Sequence, residues 1–424
     1  MKVFKFGGAS VKDAEAVKNI ASILEGFRKE KLVMVVSAMG KTTNALEALV
    51  ESHFHQKTDL QEKFDKLKLF HLNVCSCLFN SSGLAIIQKE LESLFTELEA
   101  VLNKDAVDNY NFEYAQIVCF GELLSTKIIA IYLKENGMQV EWVDARKVIK
   151  TDHNYREGQI DWEATIRNTE QTISPLLHKD TLIITQGFIG STFENLSTTL
   201  GREGSDYTAA ILGAILNAEH VAVWKDVPGI LNADPKRFNF AKKIPKLSYK
   251  EAIEMTYYGA KVLHPKTIKP LENKGIPLLV KSFLDSNEEG TVIEAIEQEL
   301  LYPPITIVEP NQILLSIYTT DFSFVSENDI SRIFKVCSKH NVRVNMMQNK
   351  AISMNLCCTN KGYMIEPLVK ELKKDFKVEY TSGLDLLTIR HYNIELIYEL
   401  SKSREIIMEQ KSENTYQFVT KTIT

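Results

Sequence analysis

Two glycine-rich segments constrain the fold most, because each lies between a strand-like run and a helical pattern. The first, residues 7–10 with the sequence Gly-Gly-Ala-Ser, follows a strand-like run over residues 2–6. The second, residues 199–206, contains two glycines, an arginine and an aspartate, and it follows a strand-like run over residues 181–185 and a glycine-bearing loop. Backbone N–H groups at such turns and at helix amino termini favour negative charge. Either segment alone could be a tight turn, but together they indicate a phosphate site.

The composition is typical of a globular enzyme. A chain of 424 residues with 44% hydrophobic content can form two or three domains with substantial cores. The net charge of -5, with acidic and basic residues interspersed, gives no general attraction to nucleic acid or to an acidic membrane. No apolar run approaches the roughly 18 residues of a membrane span, so we expect a soluble, cytoplasmic protein. The six cysteines lack CxxC spacing, which predicts reduced thiols rather than a metal site.

Strands and helices alternate through the first 300 residues. Leucine and phenylalanine at three- and four-residue steps between residues 45 and 101 predict a helical cover. This alternation implies an α/β fold with a mostly parallel sheet between helices, whose ligands lie beyond the carboxyl ends of the strands. Besides the two runs already described, short apolar runs predict strands at residues 31–37, 140–143, 221–224 and 276–280.

The pattern changes near residue 300, where Pro303 and Pro304 follow a short helical segment. We therefore predict two domains, residues 1–300 and residues 301–424. The second domain begins with the order β-α-β-β-α-β, which indicates a ferredoxin-like α+β module, and a second, incomplete module follows that could share a strand over residues 305–308. The predicted strands of the first module are residues 313–318, 342–348, 352–357 and 377–380, its helices are 329–340 and 365–376, and the second module spans 384–420.

Six motifs resemble, in the same order, those of the aspartokinases. The resemblance covers essentially the first 300 residues and implies the amino-acid kinase fold. The remainder resembles the paired ACT modules, small ligand-binding regulatory domains, that such kinases commonly carry. The motifs are residues 5–11 (KFGGASV), 36–44 (VSAMGKTTN), 120–125 (FGELLS), 198–207 (TTLGREGSDY), 225–229 (KDVPG) and 259–265 (GAKVLHP).

The resemblance implies transfer of the ATP γ-phosphoryl group to the side-chain carboxylate of L-aspartate, which forms 4-phospho-L-aspartate. This reaction opens the pathway from aspartate to lysine, threonine and methionine. A carboxylate with an ordinary pKa of about 3.9 is already ionised at neutral pH, so the nucleophile needs no strong base. The requirement is to bring this anion against ATP, for which cations, backbone N–H groups and Mg2+ are suited.

The resemblance also assigns the phosphate end of the site. Lys5 would contact the transferring phosphate, the Gly7 and Gly8 backbone would form part of its cradle, and Asp206 would orient Lys5. Taken without the glycines, Lys5 is more simply a solvated lysine at a strand end. No protein metal site is predicted.

The substrate residues follow from the same motifs. Arg202 would hold a substrate carboxylate through its planar guanidinium group, which can form two parallel hydrogen bonds. Glu122 would receive the substrate ammonium group, and Ser37 and Thr43 would hydrogen-bond the substrate. In isolation, Arg202 could form a surface ion pair, Glu122 could be a helix amino-terminal charge and Thr43 a helix cap.

For the nucleotide, the resemblance points to Lys225, Asp226, Gly229, Lys236 and Lys261. This region departs from the family pattern, because Lys225 and Lys236 stand where threonine and arginine are frequent. Lysine cannot form the bidentate contact that arginine forms, so the sequence leaves open how these residues contact the nucleotide.

Two further residues of these motifs, Glu203 and His264, are not assigned a role in the reaction. Glu203 replaces a frequent glycine and adds negative charge beside the anion site, where it would point outward or pair with a lysine. For His264 we expect a structural hydrogen bond, because no step of the reaction requires its proton.

Regulation and assembly are predicted only in outline. Asn345 falls where lysine-sensitive relatives often have an aspartate, so a bound lysine would lack its simplest partner. Lysine, threonine and no effector all remain open. We expect a homodimer or a larger homo-oligomer.

Two other functions are compatible with parts of the sequence. A kinase for glutamate, acetylglutamate or a nucleoside monophosphate would share the phosphate-binding sheet, but residues 120–122, Arg202 and the carboxyl-terminal modules argue against it. A nonenzymatic amino-acid sensor would fit the incomplete second module. A full set of charged site residues argues against a sensor, because a kinase domain without activity has no chemical need for it. The set consists of Lys5, Glu122, Arg202, Asp206 and Lys261.

Overall fold

The computed structural model describes residues 1–177, 181–260, 263–298, 300–321 and 323–421. The chain divides into two compact units. The first contains residues 1–230, 243–253 and 262–297, and the second contains residues 231–242, 254–261 and 298–424. Two segments that precede residue 300, 231–242 and 254–261, thus belong to the second unit.

An eight-stranded sheet forms the centre of the first unit, in the order β3-β4-β2-β1-β7-β9-β10-β8. Every neighbouring pair is parallel except β9 with β10, which confirms the predicted mostly parallel sheet. A separate antiparallel pair, β5 and β6, lies in the loop region before the second glycine-rich segment. The strands are β1 (Lys2–Phe6), β2 (Leu32–Val36), β3 (Gln139–Val143), β4 (Thr181–Gln186), β5 (Ile189–Ser191), β6 (Ser197–Thr199), β7 (His220–Lys225), β8 (Lys246–Ser248), β9 (Leu278–Ser282) and β10 (Thr291–Glu294).

Helices cover both faces of this sheet, and the predicted helical region 45–101 forms three of them. Phe4 and Phe6 of β1 enter the large core with the helices after β1 and β2, while Val221 of β7 faces the opposite way and lies against Gly213 of α8. The helices are α1 (Ala14–Glu25), α2 (Thr42–Phe54), α3 (Leu60–Leu78), α4 (Ser81–Leu102), α5 (Tyr110–Val118), α6 (Phe120–Glu135), α7 (Trp162–Thr172), α8 (Gly204–Ile215), α9 (Tyr249–Tyr257) and α10 (Pro265–Glu272).

One apolar helical segment corrects the expectation that no run approaches membrane-spanning length. Helices α5 and α6 together form a 26-residue segment, Tyr110–Glu135, that is long and apolar enough to cross a bilayer, and 78% of its most apolar window is buried inside the protein. Its side chains, among them Ile117, Leu124 and Ile128, belong to the large core. The apolar character of this segment is explained by its central position in the first unit.

The second unit contains a six-stranded antiparallel sheet in the order β12-β13-β11-β14-β16-β15. The regions predicted as separate strands at 305–308 and 313–318 form one strand, and the predicted strand at 377–380 is continuous with the first residues of the second module, 384–390. Both long strands run through the two ferredoxin-like modules, with an irregular register near Asn311, whose φ is 59°. The elements are β11 (Ile305–Tyr318), α11 (Glu327–Lys339), β12 (Val344–Asn349), β13 (Ser353–Thr359), α12 (Ile365–Leu372), β14 (Lys377–Arg390), α13 (Ile394–Ser401), β15 (Ile406–Lys411) and β16 (Thr415–Lys421).

The incomplete second module is completed by segments from elsewhere in the chain. The first half of β11 supplies its fourth strand, as the shared run over residues 305–308 predicted. It has one helix, α13, and the segment 231–242 packs on the same core, with Phe238 buried against Leu387, Leu400 and Phe418. This segment covers apolar surface that a second helix covers in the first module.

Candidate active site

The register of the central strands places the predicted motifs at one edge of the sheet. Phe6, the last residue of β1, pairs with Val36 of β2 and with Trp224 of β7. Gly7, Ser37 and Lys225 therefore all lie at the carboxyl ends of neighbouring parallel strands, where such sheets bind ligands.

A cleft of about 600 Å³ opens at this edge. Its volume is in the range typical of small-molecule sites. It brings together eight of the predicted site residues: Lys5, Gly8, Ser37, Thr43, Glu122, Arg202, Asp206 and Lys225.

The glycines of the cleft let neighbouring backbones approach closely. A Cβ atom on Gly8 would lie 3.1 Å from the carbonyl oxygen of Ala38, and one on Gly7 would lie 3.1 Å from Nζ of Lys5. In the glycine-bearing loop after β4, a Cβ on Gly187 would lie 2.5 Å from Cβ of Ser205 in the second segment. This loop and the second glycine-rich segment therefore lie in close contact, and a larger side chain at Gly187 would separate them.

The Lys5 side chain is held by Asp206 at the amino terminus of α8. Their Nζ and Oδ1 atoms are 2.7 Å apart, and Nζ of Lys225 lies 3.6 Å from the other carboxylate oxygen. Burial by itself would raise the pKa of Asp206, but the two ammonium groups hold it below its ordinary value. Asp206 is therefore ionised at neutral pH and fixes two cations at the phosphate end of the cleft.

Glu122 lies in the first turn of α6 and is 2% exposed. One of its oxygens, Oε1, accepts a hydrogen bond of 3.2 Å from the backbone N–H of Ala38. The other, Oε2, is buried without a hydrogen-bond partner among the described residues. Burial raises the pKa of Glu122 to about 8, despite the backbone hydrogen bond that opposes this shift. A buried carboxylate of this kind is ready to receive a cation from a ligand.

The remaining predicted substrate residues lie around the same space. Arg202 is exposed at the rim and lies between Gly201, whose φ is 74°, and Glu203, whose φ is 55°. Thr43 lies in the first turn of α2, and Ser37 directly follows β2. An exposed guanidinium group opposite a buried carboxylate matches the two charged ends of an amino acid.

Glu203 does not point outward, and among the described residues it forms no ion pair with a lysine. It lines the cleft, and its Oε2 atom is buried without a hydrogen-bond partner in the described part of the chain. The left-handed backbone at this position favours glycine, so the glutamate is a strained choice for the turn.

Arg156 is a cleft residue that the sequence did not reveal. Its guanidinium carbon lies 4.5 Å from the centre of the Tyr114 ring, and the Tyr114 hydroxyl donates to Glu47 over 3.0 Å. Backbone hydrogen bonds from Gly158 to Thr199 and from Thr199 to Tyr155 join this segment to the chain that leads into Arg202. No motif or periodicity surrounds Arg156, so only the tertiary structure could identify it.

Part of the predicted nucleotide set does not line the cleft. Asp226 and Gly229 lie outside its lining, and Gly229, with φ of 145°, lies where a Cβ would approach Oγ1 of Thr291 to 2.7 Å. Lys236 belongs to the second unit, where its backbone N–H donates to Asp234. Lys261 lies outside the described residues.

His264 has the structural role that we expected. Its Nδ1 atom accepts a hydrogen bond of 3.2 Å from the backbone N–H of Lys266 and caps α10.

Within the described ranges, no group of three or more histidine, cysteine, aspartate or glutamate side chains could hold a metal ion. The two carboxylates deepest in the cleft are Asp206, which two ammonium groups engage, and Glu122, which burial neutralises. The cleft is thus built to bind a phosphate anion at one end and a charged amino acid at the other.

Comparison with known proteins agrees with this class of site. Residues 1–282 match the model of the amino acid kinase family. The match covers the whole sheet up to β9 and both glycine-rich segments.

The full chain is similar to enzymes of one branch of that family. It is 33% identical to lysine-sensitive aspartokinase 3 of Escherichia coli over 91% of this chain and 86% of that protein. The crystal structure of E. coli aspartokinase III with lysine and aspartate superposes with a TM-score of 0.84 at 30% identity, covering 99% of this chain and 95% of that one. The structure of the same enzyme with aspartate and ADP gives a TM-score of 0.82 at 29% identity, covering 99% and 96%. The chain therefore belongs to the amino acid kinases and, within them, to the aspartokinases, which confirms the resemblance of its six motifs.

Proposed function

We propose that this protein is an aspartate kinase, which transfers the ATP γ-phosphoryl group to the side-chain carboxylate of L-aspartate. The observation that carries the proposal is the presence of two complementary ends in one cleft: the Lys5–Asp206–Lys225 cluster, which suits a phosphate, and the unpaired Glu122, which suits an ammonium group. The similarity to E. coli aspartokinase III, whose solved complexes contain aspartate and ADP, supports the same conclusion.

Each charged residue has a role in this reaction. Lys5 stabilises the transferring phosphoryl group, Asp206 orients Lys5, and the Gly7 and Gly8 backbone approaches the phosphates. Lys225 adds a second cation that neutralises ATP. The ion pairs of Asp206 with Lys5 and Lys225 hold both cations in position for these roles.

The substrate is held by groups of opposite charge. Glu122 receives the ammonium group, Arg202 holds a carboxylate, and Ser37 and Thr43 donate hydrogen bonds from their hydroxyl groups. The side-chain carboxylate is then positioned towards Lys5 for in-line attack on the γ-phosphorus.

ATP binding is proposed to require Mg2+ and a further set of residues, Asp226, Gly229, Lys236 and Lys261. Mg2+ keeps several water ligands and usually binds through phosphate oxygens with one or two carboxylates, which fits a cleft whose described residues form no metal cluster. When bound, it would neutralise charge on the β- and γ-phosphates.

The second unit is proposed as a regulatory region, with residues 1–300 as the catalytic domain and 301–424 as paired modules. Asn345 donates hydrogen bonds of 2.8 Å to Gln312 and to Thr359, so an uncharged amide stands where a bound lysine would need a carboxylate. Threonine and lysine are the effectors to test. We also propose a cytoplasmic homodimer or larger homo-oligomer.

The test is ATP- and Mg2+-dependent formation of aspartyl hydroxamate from L-aspartate and hydroxylamine, with L-glutamate as the competing substrate. We expect product from aspartate and its loss in Lys5→Ala. Lys2→Ala is the matched control, because Lys2 lies on the same strand but pairs with Glu30 at its other end. Product from glutamate instead would identify another amino acid kinase, and no product from a folded, ATP-binding protein would favour a sensor.

A further inference from the structure

A second cavity lies in the first unit, between α7, α8 and α10. Its volume is about 540 Å³, close to that of the catalytic cleft and in the range of small-molecule sites. None of the predicted site residues lines it. We call it the α7–α10 pocket.

Helical spacing explains the two kinds of surface in this pocket. Trp162, Ile166 and Glu170 follow each other at four-residue steps and lie on one face of α7. Trp162 and Ile166 are 40% and 39% exposed, which is unusual for large apolar side chains on one helix face. This face offers an apolar wall to the pocket.

The opposite wall is positively charged. Lys266, Lys269 and Lys274 line the pocket along and just beyond α10, at three-residue and five-residue steps. In the described part of the chain, none of the three forms an ion pair. With Glu170 as the acidic side chain of the lining, positive charge predominates by two.

A second lysine-lined pocket in the same unit differs from the α7–α10 pocket in how many of its lysines have acidic partners. The smaller cavity between α2 and α3 is lined by Lys41, Lys63 and Lys66. There Lys63 pairs with Asp59 at 2.9 Å and Lys66 pairs with Glu62 at 2.5 Å. Two of the three lysines of the smaller cavity are therefore paired by the chain itself, whereas the lysines of the α7–α10 pocket are available to a ligand.

Helix α8 forms the third side of the α7–α10 pocket. It contributes the small and branched side chains of Ala214 and Ile215, and the ring of Tyr207. Burial raises the pKa of Tyr207, so its hydroxyl stays a neutral hydrogen-bond donor at physiological pH. Tyr207 directly follows Asp206, so a ligand here would contact the helix that orients Lys5.

We propose that the α7–α10 pocket binds a small organic anion with an aromatic or branched apolar body. The apolar body would lie against Trp162 and Ile166, and the anionic group would face the α10 lysines. Such a ligand matches both walls at once, whereas a purely apolar ligand would leave the ammonium groups without partners and an inorganic anion would leave the apolar wall exposed.

The probe for this site is 8-anilino-1-naphthalenesulfonate, with uncharged N-phenyl-1-naphthylamine as the matched ligand of similar aromatic body. Both dyes would be titrated into the full-length protein, and binding followed by energy transfer from tryptophan. We expect the Lys266→Gln/Lys269→Gln variant to raise the Kd of the sulfonate at least about fivefold and to leave that of the neutral dye unchanged. Trp162→Phe should remove most of the energy transfer.

The matched protein control is Lys63→Gln/Lys66→Gln, which removes the same charge from the smaller cavity and should leave both dyes unaffected. An unchanged sulfonate Kd in the Lys266→Gln/Lys269→Gln variant would overturn the proposal. So would equal weakening by both lysine pairs, which would indicate general attraction, or equal weakening of both dyes. Ile166→Glu provides an independent measurement, because a carboxylate on the apolar wall should weaken the sulfonate more than the neutral dye. The readout is binding, so it does not depend on the kinase activity.

Discussion

The catalytic cleft contains two buried carboxylates whose surroundings differ. Asp206 lies at the amino terminus of α8 with the ammonium groups of Lys5 and Lys225 at 2.7 and 3.6 Å. Glu122 lies in the first turn of α6 with one backbone N–H as its partner. Burial raises the pKa of both groups, but the two cations reverse the direction for Asp206 and nothing does so for Glu122.

The two carboxylates therefore differ in where their balancing positive charge comes from: the protein supplies it for Asp206, whereas a ligand would supply it for Glu122. At the phosphate end, residues of the chain itself balance the carboxylate and fix the positions of the two cations. The substrate end lacks one positive charge, and the ammonium group of an amino acid would supply it. Four predictions test this contrast.

The largest effect is expected for Lys5→Ala. Hydroxamate formation should fall by at least about 100-fold, because a preformed cation at the phosphoryl group is lost. The free energy of unfolding should fall by about 3–5 kcal/mol, because Asp206 stays buried with only the more distant Lys225. Urea unfolding and initial rates measure the two effects. Lys2→Ala on the same strand should change neither by much, and an Lys5→Ala protein as stable as the wild type would contradict the argument.

Glu122→Gln should separate binding from stability. The KM for aspartate should rise about 10- to 100-fold, because a charge-assisted hydrogen bond to the ammonium group is lost. The KM for ATP should stay unchanged. Stability should stay equal or rise, since an amide is easier to bury than an unpaired carboxylate. Loss of stability comparable to that of Lys5→Ala would show that Glu122 has a partner within the protein.

The raised pKa of Glu122 predicts a dependence on pH. Between the ordinary pKa near 4.3 and the folded value of about 8, the folded protein binds one proton more than the unfolded chain. The stability that Glu122 contributes is therefore fully present below about pH 4 and is lost as the pH rises towards 8, by up to about 1.4 kcal/mol per unit. An ammonium ligand needs the ionised form, so the KM for aspartate should fall up to about tenfold per unit between pH 6 and 8.

Chemical denaturation and initial rates at several pH values check both trends. The Glu122→Gln variant is the control, because it has no proton to lose at this position. A wild-type KM that follows the variant across this range would mean that another group titrates.

The smallest effect is expected for Arg156→Gln. This residue is exposed and stacks on Tyr114, so its loss should raise the KM of one substrate by less than about tenfold and leave stability within about 0.5 kcal/mol. Kinetics with each substrate varied in turn will show which charged ligand it contacts. Arg167→Gln, an exposed arginine on α7 outside the cleft lining, is the matched control.

The sequence predicted the framework of the cleft well because that framework is local. A strand, a glycine turn and a helix follow each other directly at residues 2–25. Around residues 181–215 two glycine-bearing loops and the short β5–β6 pair join β4 to α8, so the residues at the turns of both segments could be placed at one sheet edge. The long strands of the second unit were harder to predict. Asn311 and the shift near Glu309 interrupt the alternation of β11, so one strand resembled two.

The amino-acid sequence alone was sufficient to predict the parallel sheet, the two glycine-rich turns and the family, because these depend on neighbouring residues and on the order of motifs. The folded chain was needed to show which carboxylate is paired, because the partners of Asp206 on α8 come from two strands, β1 and β7. It was also needed to show that Arg156 enters the cleft and that the α10 lysines stand opposite Trp162. Charge balance in a buried site depends on distances between segments far apart in the chain, and no local pattern encodes those distances.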